Sequence, residues 1–90
     1  MVRFILGENK YVKMAVRSLK NEQFTISEAT YKFLKYGVLE DSGQCEISNE
    51  NGINFLLVKL NPLSEAGYIL EITYKVASET LKEKIEIAVR

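Results

Sequence analysis

The sequence has no histidine and no tryptophan, a single cysteine, Cys45, and a single proline among its 90 residues. Without histidine, neither a Ser-His-Asp nor a Cys-His catalytic arrangement can form, and no imidazole can bind a metal. One cysteine cannot form a disulfide within the chain, which suits a reducing compartment. We therefore expect no enzymatic activity, no cofactor and no bound metal.

Charge of one sign is also missing, because the 12 Lys and Arg residues are balanced by 12 Asp and Glu residues. A neutral chain has no net field to attract nucleic acid or an anionic membrane, so we expect neither as a partner. No apolar run approaches the roughly 18 residues of a membrane-spanning segment. The charged-then-apolar start of a signal peptide is absent too, which predicts a protein that is cytoplasmic at synthesis.

The composition is that of an ordinary folded protein, with 47% hydrophobic and 27% charged residues. A chain of this length can bury about two thirds of its unfolded surface, which is enough for a modest core. No linker, repeat or low-complexity segment divides it. We therefore expect a single domain over residues 1–90.

Alternation of apolar and polar residues, the pattern of half-buried strands, recurs along the chain. Six segments carry it: residues 2–6, 12–16, 29–34, 45–48, 68–76 and 85–89; residues 53–60, a short apolar run, are a seventh candidate strand. We expect the second of these to continue to about Lys20-Asn21. Short turns separate the segments, including Asn51-Gly52, a pair that favours positive φ. Seven strands at such spacing indicate an all-β sandwich or barrel.

Two segments leave a helix open as an alternative. Ser27 could cap a helix through Phe33 that stops at Gly37, and Ser78 could cap one through Leu81 and Val89. Strands are favoured in both places because β-branched and aromatic residues dominate them.

The register of the last hairpin is also open. Pairing Val76 with Leu81 places Glu71 opposite Glu86, which sets like charges against each other. Sliding by two residues places Glu71 opposite Lys84, but it requires a two-residue turn at Ala77-Ser78 without Gly or Asn.

The alternation predicts which side chains enter the core. We expect Cys45 to be a small buried hydrophobe rather than a nucleophile. Three aromatics near strand ends should be partial lids on the core: Tyr11, Phe24 and Tyr36. The remaining inward predictions are Tyr31, Phe33, Phe55, Leu57, Leu60, Tyr68 and Tyr74.

The stretch LNPLSEAGYILEITY, residues 60–74, resembles the corner between strands E and F of immunoglobulin-like domains. In that corner a small residue, here Ala66, precedes a tyrosine, here Tyr68, whose hydroxyl reaches back to an upstream backbone group. The resemblance implies an immunoglobulin-like antiparallel sandwich of about seven strands with Greek-key connections. The chain departs from antibody domains in having Leu70 at the cysteine position and Ser64 at the aspartate position.

A second resemblance rests on ATYKFLKYGVLEDSG followed by QCEIS and GYILEITY. These runs are similar to small immunoglobulin-like domains of bacterial and prophage structural proteins. The resemblance implies a non-enzymatic structural or assembly module that packs against other protein subunits, self or other, as a virion-associated component. The alternative is a carbohydrate- or peptide-binding module that uses loop aromatics; no binding residue is carried over, and the ligand is unknown. For association we expect the strand at residues 2–6 to contact another subunit through Phe4 and Leu6 or by edge pairing.

Overall fold

The computed structural model describes residues 1–16 and 24–90, and its regular elements there are all β-strands. The strands are β1 (Val2–Phe4), β2 (Lys10–Val16), β3 (Ile26–Lys35), β4 (Val38–Gln44), β5 (Glu46–Glu50), β6 (Ile53–Leu60), β7 (Ala66–Val76) and β8 (Glu79–Val89). The helix alternatives are wrong, since Ser27 lies in β3 and Ser78 lies in the turn before β8. No helix of the described residues is long and apolar enough to cross a membrane. The predicted end of β2 near Lys20 lies outside the described residues.

The strands form two sheets. The first has five strands in the order β1-β8-β7-β3-β4, and the second has three in the order β2-β6-β5. β1 runs parallel to β8, with Val2 opposite Ile87, whereas the other pairings are antiparallel. The described elements are all strands, which confirms an all-β protein. The first sheet is mixed and the second antiparallel, so the prediction of wholly antiparallel pairing is wrong at β1 and β8.

One hydrophobic core lies between the two sheets. Its buried side chains come from both: Phe4, Ile26, Ala29, Phe33, Tyr68, Leu70, Ile72, Tyr74, Ile87 and Val89 from the first sheet, and Val12, Val16, Leu56, Val58 and Leu60 from the second, with Cys45 between them. This confirms the inward predictions for Phe33, Cys45, Leu60, Tyr68 and Tyr74. Tyr31 is only half-buried, and its hydroxyl donates to Asp41 at 3.2 Å.

The prediction for the face of β6 is wrong at two positions. Leu56, Val58 and Leu60 are buried, while Phe55 and Leu57 lie on the opposite, partly exposed face. Both faces of β6 carry large apolar residues. The alternation of apolar and polar residues that usually distinguishes the buried face of a strand from its exposed face is therefore weak in β6. Leu60 was correctly predicted to be buried. Because successive side chains of a strand alternate between its faces, Leu56 and Val58 lie on the same buried face as Leu60.

β4 was not predicted. Its sequence, VLEDSGQ, contains Asp, Ser and Gly, which strands disfavour, and its side chains are almost all exposed. The strand forms because the Tyr36-Gly37 turn, with φ of 50° and 79°, folds it back on β3 as a hairpin. Positive φ at both turn residues is the type I′ geometry that matches strand twist.

The last hairpin adopts the register with Glu71 opposite Lys84. The two-residue turn is formed by Ala77-Ser78, and Ala77 takes a φ of 53° although it is not glycine. This register avoids setting Glu71 against Glu86, and Glu71 instead lies opposite Lys84 and 3.7 Å from Lys82 Nζ, while one alanine takes a left-handed conformation.

Candidate functional site

Exposed hydrophobic side chains gather at one end of the molecule. β1, β3, β6 and β8 finish there, and β2, β4 and β7 begin there, as their registers show. The residues are Ile5 (69% exposed), Leu6 (45%), Tyr36 (79%), Val38 (69%), Leu39 (52%) and Leu63 (74%). We call this set the apolar end. By contrast, turns at the opposite end contain small or polar residues, such as Asn51-Gly52 and Ala77-Ser78.

Hydrogen bonds hold the loops of the apolar end together. Lys35 Nζ donates to Ser64 Oγ at 2.7 Å, which joins the β3–β4 hairpin to the loop between β6 and β7. The backbone N–H of Leu6 donates to the carbonyl of Arg90 at 2.8 Å, which joins the β1–β2 turn to the end of β8. Glu8 accepts a hydrogen bond from the N–H of Ile5 within that turn, and this bond is the main reason that the pKa of Glu8 is lowered. The exposed residues therefore sit on segments that are joined in two separate pairs.

Tyr68 is a buried core residue next to the apolar end. Its ring stacks on Phe33 with centroids 4.3 Å apart and an angle of 5° between the planes, and the residue is 2% exposed. Its hydroxyl donates to Glu40 Oε1 at 2.9 Å and lies 3.1 Å from Ser64 Oγ. Burial is the main reason that the pKa of the Tyr68 hydroxyl is raised; the hydrogen bond with Ser64 lowers this pKa, and the one to Glu40 raises it.

Glu40 reaches Tyr68 because β4 has a bulge. Phe33 pairs with Asp41 and Leu34 pairs with Leu39, so Glu40 has no cross-strand partner on β3. An extra residue in one strand changes the direction of its side chain. The bulge thus links an exposed edge strand to the core tyrosine, and it fixes the position of the neighbouring Leu39.

A shallow depression lies beside the bulge. It has a volume of about 360 Å³ and is lined by Lys35, Tyr36, Val38, Leu39 and Glu40. An open apolar surface with one carboxylate and one ammonium at its rim can bind an apolar side chain or the face of a sugar ring.

The three predicted aromatic lids have different positions. Phe24 packs against the core as expected. Tyr11 is 47% exposed, and its hydroxyl donates to Glu46 Oε1 at 3.2 Å; this hydrogen bond is the main reason that its pKa is raised. Tyr36 is not a lid, because it is 79% exposed at the tip of the β3–β4 turn. Sequence reasoning missed Val38 and Leu39, which lie in the strand that was not predicted, and Leu63 in the loop between β6 and β7.

The N-terminal strand β1 is an edge strand of the first sheet among the described residues, so its expected edge pairing with another subunit stays a prediction, whereas the apolar face expected at Phe4 is wrong. β1 pairs with β8 of its own domain, and Phe4 is 2% exposed in its own core. Phe4 therefore cannot offer an apolar face to another subunit, whereas Ile5 and Leu6 after it remain exposed.

Reactive groups are sparse in the described residues, which contain no group of three or more Cys, Asp or Glu that could hold a metal ion. Burial raises the pKa of the Cys45 thiol to about 11. A thiol with such a pKa is protonated at neutral pH, and it is the thiolate that acts as a nucleophile. Cys45 therefore serves as a core residue where the chain passes from β4 to β5.

Comparison with known proteins shows the fold and nothing finer. No protein family matches the chain, and no curated protein matches it. Among solved structures, the chain is similar to part of an engineered protein, with a TM-score of 0.69 and 18% identity over 99% of this chain. The chain spans only 18% of the length of that protein.

Proposed function

We propose that the chain is a non-enzymatic structural or assembly module that packs against other protein subunits through its apolar end. The observation that carries this proposal is the gathering of Ile5, Leu6, Tyr36, Val38, Leu39 and Leu63 at one end. Single exposed hydrophobic residues are normal, but grouped ones mark interaction sites. An aromatic residue such as Tyr36, with aliphatic neighbours, is a typical centre of a protein interface.

The proposed fold is an immunoglobulin-like sandwich with Greek-key connections. Support comes from the strand order, in which β2, β6 and β5 form one sheet and β8, β7 and β3 lie together in the other. The corner tyrosine adds support: Tyr68 opens β7 and fills the core, although its hydroxyl meets the side chains of Ser64 and Glu40 rather than a distant backbone group. Such domains serve many roles, so the fold alone does not choose a function.

The test compares the size of the native complex for three tagged chains in extracts of the source cells. The apolar-end variant combines Tyr36→Asn, Val38→Thr and Leu63→Ser. Asn tolerates the positive φ of 50° at Tyr36, and Thr keeps the β-branched shape of Val38, so the fold should be retained. The matched control combines Ile47→Thr and Leu81→Ser, which are exposed hydrophobic residues outside the apolar end.

We expect the wild-type and control chains to elute in a complex well above 10.3 kDa, and the apolar-end variant to leave that complex and elute where the purified chain alone elutes. Equal elution of all three chains would contradict the proposal. The resemblance to prophage structural proteins adds the further proposal that the complex is a virion or its precursor, which the identity of the co-eluting subunits would decide.

The depression beside Tyr36 favours a second candidate function, the binding of a peptide or carbohydrate through loop aromatics. Titration of ¹⁵N-labelled protein with short apolar peptides and with oligosaccharides tests it. Chemical-shift changes confined to Lys35–Glu40 would support this candidate, and no change at millimolar ligand would exclude those ligands.

A further inference from the structure

The two sides of the sandwich differ in charge. β4 and β5 run consecutively along one side, and the segment Val38–Glu50 carries four acidic residues and no basic one: Glu40, Asp41, Glu46 and Glu50. β2 is the edge strand of the three-stranded sheet on the side away from β5. It carries Lys10 and Lys13 and no acidic residue. In contrast, β8 alternates sign along Lys82, Glu83 and Lys84.

Both β2 and β4 are edge strands in the part of the chain that the structure describes. β2 pairs only with β6, and β4 pairs only with β3. The outer N–H and C=O groups of an edge strand can accept another strand. Each of these strands is seven residues long, and the regular part of β4 after its bulge, residues 41–44, can pair with four residues of β2.

The central residue of each strand is charged, and this decides which strands can pair. In a full antiparallel overlap, two β2 strands would set Lys13 against Lys13, and two β4 strands would set Asp41 against Asp41. A β2 strand on a β4 strand sets Lys13 against Asp41 and Lys10 against Gln44. Like charges directly opposite each other are unfavourable in a sheet, and opposite charges are favourable. The arrangement excludes pairing between identical edges and favours pairing between different edges.

We infer that β2 of one copy of this chain adds to β4 of a second copy, so that the chain associates head-to-tail through its sheet edges. The charges involved are available, because their existing partners are weak surface contacts. Lys13 Nζ lies 2.7 Å from Glu50 Oε2 and 4.2 Å from the centre of the Phe55 ring on the sheet's outer face, and the side chains of Lys13 and Glu50 are about half exposed. Asp41 accepts from Tyr31 and from the N–H of Ser42 and is itself exposed. Surface pairs of this kind exchange partners at little cost.

The β4 bulge sets the extent of the ladder. Regular pairing with β2 of the second copy runs from Asp41 to Gln44. Glu40 keeps its hydrogen bond with Tyr68 of the same chain. The contact joins two different edges, β2 of one copy and β4 of the next. However many copies are added, the assembly keeps one free β2 edge and one free β4 edge. A head-to-tail contact that does not close builds open chains rather than dimers.

The test is sedimentation equilibrium of purified protein over a concentration series, at low and high salt, for four chains: wild type, K13D, D41K and the double variant K13D/D41K. We expect the wild-type mass to rise above 10.3 kDa with concentration, without a plateau at the dimer, and to fall with added salt. Each single variant should have an association constant at least tenfold lower. An equimolar mixture of K13D and D41K, and the double variant alone, should both recover association.

K32D is the matched control, since Lys32 is exposed in β3, which is not an edge strand, and it should associate like the wild type. If D41K loses its fold by circular dichroism, Q44K replaces it, because this change sets a lysine against Lys10 and breaks no intramolecular contact of Asp41. A wild-type mass of 10.3 kDa at every concentration, or a mixture no heavier than its components, would overturn the inference. In this sedimentation experiment the apolar-end variant should associate like the wild type. The experiment therefore tests the pairing of sheet edges, and the elution experiment tests the proposed function separately.

Discussion

Removing the hydroxyl or the whole ring of Tyr68 should have very different consequences. The hydroxyl lies 2.9 Å from Glu40 Oε1 and 3.1 Å from Ser64 Oγ. A hydrogen bond to a charged group contributes about 1.5–3 kcal/mol and a neutral one about 1 kcal/mol. Glu40 and Ser64 are only partly buried, so water can replace the lost hydroxyl in part. Tyr68→Phe should therefore cost about 1–2 kcal/mol.

Tyr68→Ala should cost about 4 kcal/mol, because it also opens a ring-sized cavity in the core. The ring is 2% exposed and is stacked on Phe33 at 4.3 Å, so its neighbours have little freedom to fill the space. The stacked pair adds about 1 kcal/mol beyond the buried area, and this is lost as well. Tyr36→Phe is the control: that residue is 79% exposed, and its variant should stay within about 0.5 kcal/mol of the wild type.

Urea denaturation followed by circular dichroism measures these costs. With a slope of about 1 kcal/mol per molar urea, Tyr68→Phe should lower the midpoint by about 1 M, and Tyr68→Ala should lower it by several times as much. Small and equal shifts for both variants would show that Tyr68 is neither buried nor bonded in solution, and would refute the description of the corner.

Three further changes test the turns, the core thiol and the face of β6. Ala77→Gly should stabilise the protein by about 0.5–1 kcal/mol because it relieves the φ of 53°, whereas Gly37→Ala, at a φ of 79°, should destabilise it; thermal melts of both decide this. The pKa of Cys45 is raised to about 11, so the protonated thiol contributes stability that is complete below the unfolded pKa near 9 and is lost as the pH rises to about 11. Cys45→Ala should flatten this alkaline loss in urea titrations between pH 8 and 11, and an unchanged slope would mean that the thiol is exposed. Leu56→Ala should cost about 3 kcal/mol and Phe55→Ala about 1 kcal/mol, and the reverse order would restore the face predicted from the sequence.

Much of the strand content followed from alternation, because a strand with one buried face carries its own period. β7 is the clearest example, with Tyr68, Leu70, Ile72 and Tyr74 buried in succession. β6 failed because both of its faces are apolar, and only the parity of Leu60 separated them. β4 could not be found by periodicity, since an edge strand exposed on both faces needs no apolar pattern.

The apolar end could not be predicted for a related reason. Ile5, Val38 and Leu63 are far apart in sequence, and each alone looks like a core residue or a loop residue. Only the strand directions bring their loops to one end of the molecule. Likewise, the contact between Glu40 and Tyr68 depends on the β-bulge in β4, and this bulge cannot be recognised from the alternation of apolar and polar residues.

Site-specific photo-crosslinking in the source cells tests the central claim most directly. A photoreactive phenylalanine analogue is placed at Val38, in the apolar end, and separately at Lys32, which is exposed on the same sheet away from it. We predict a discrete protein adduct from position 38 that position 32 does not give. Adducts that are absent from position 38, or equal at both positions, would contradict the claim that the apolar end is a protein-contact surface.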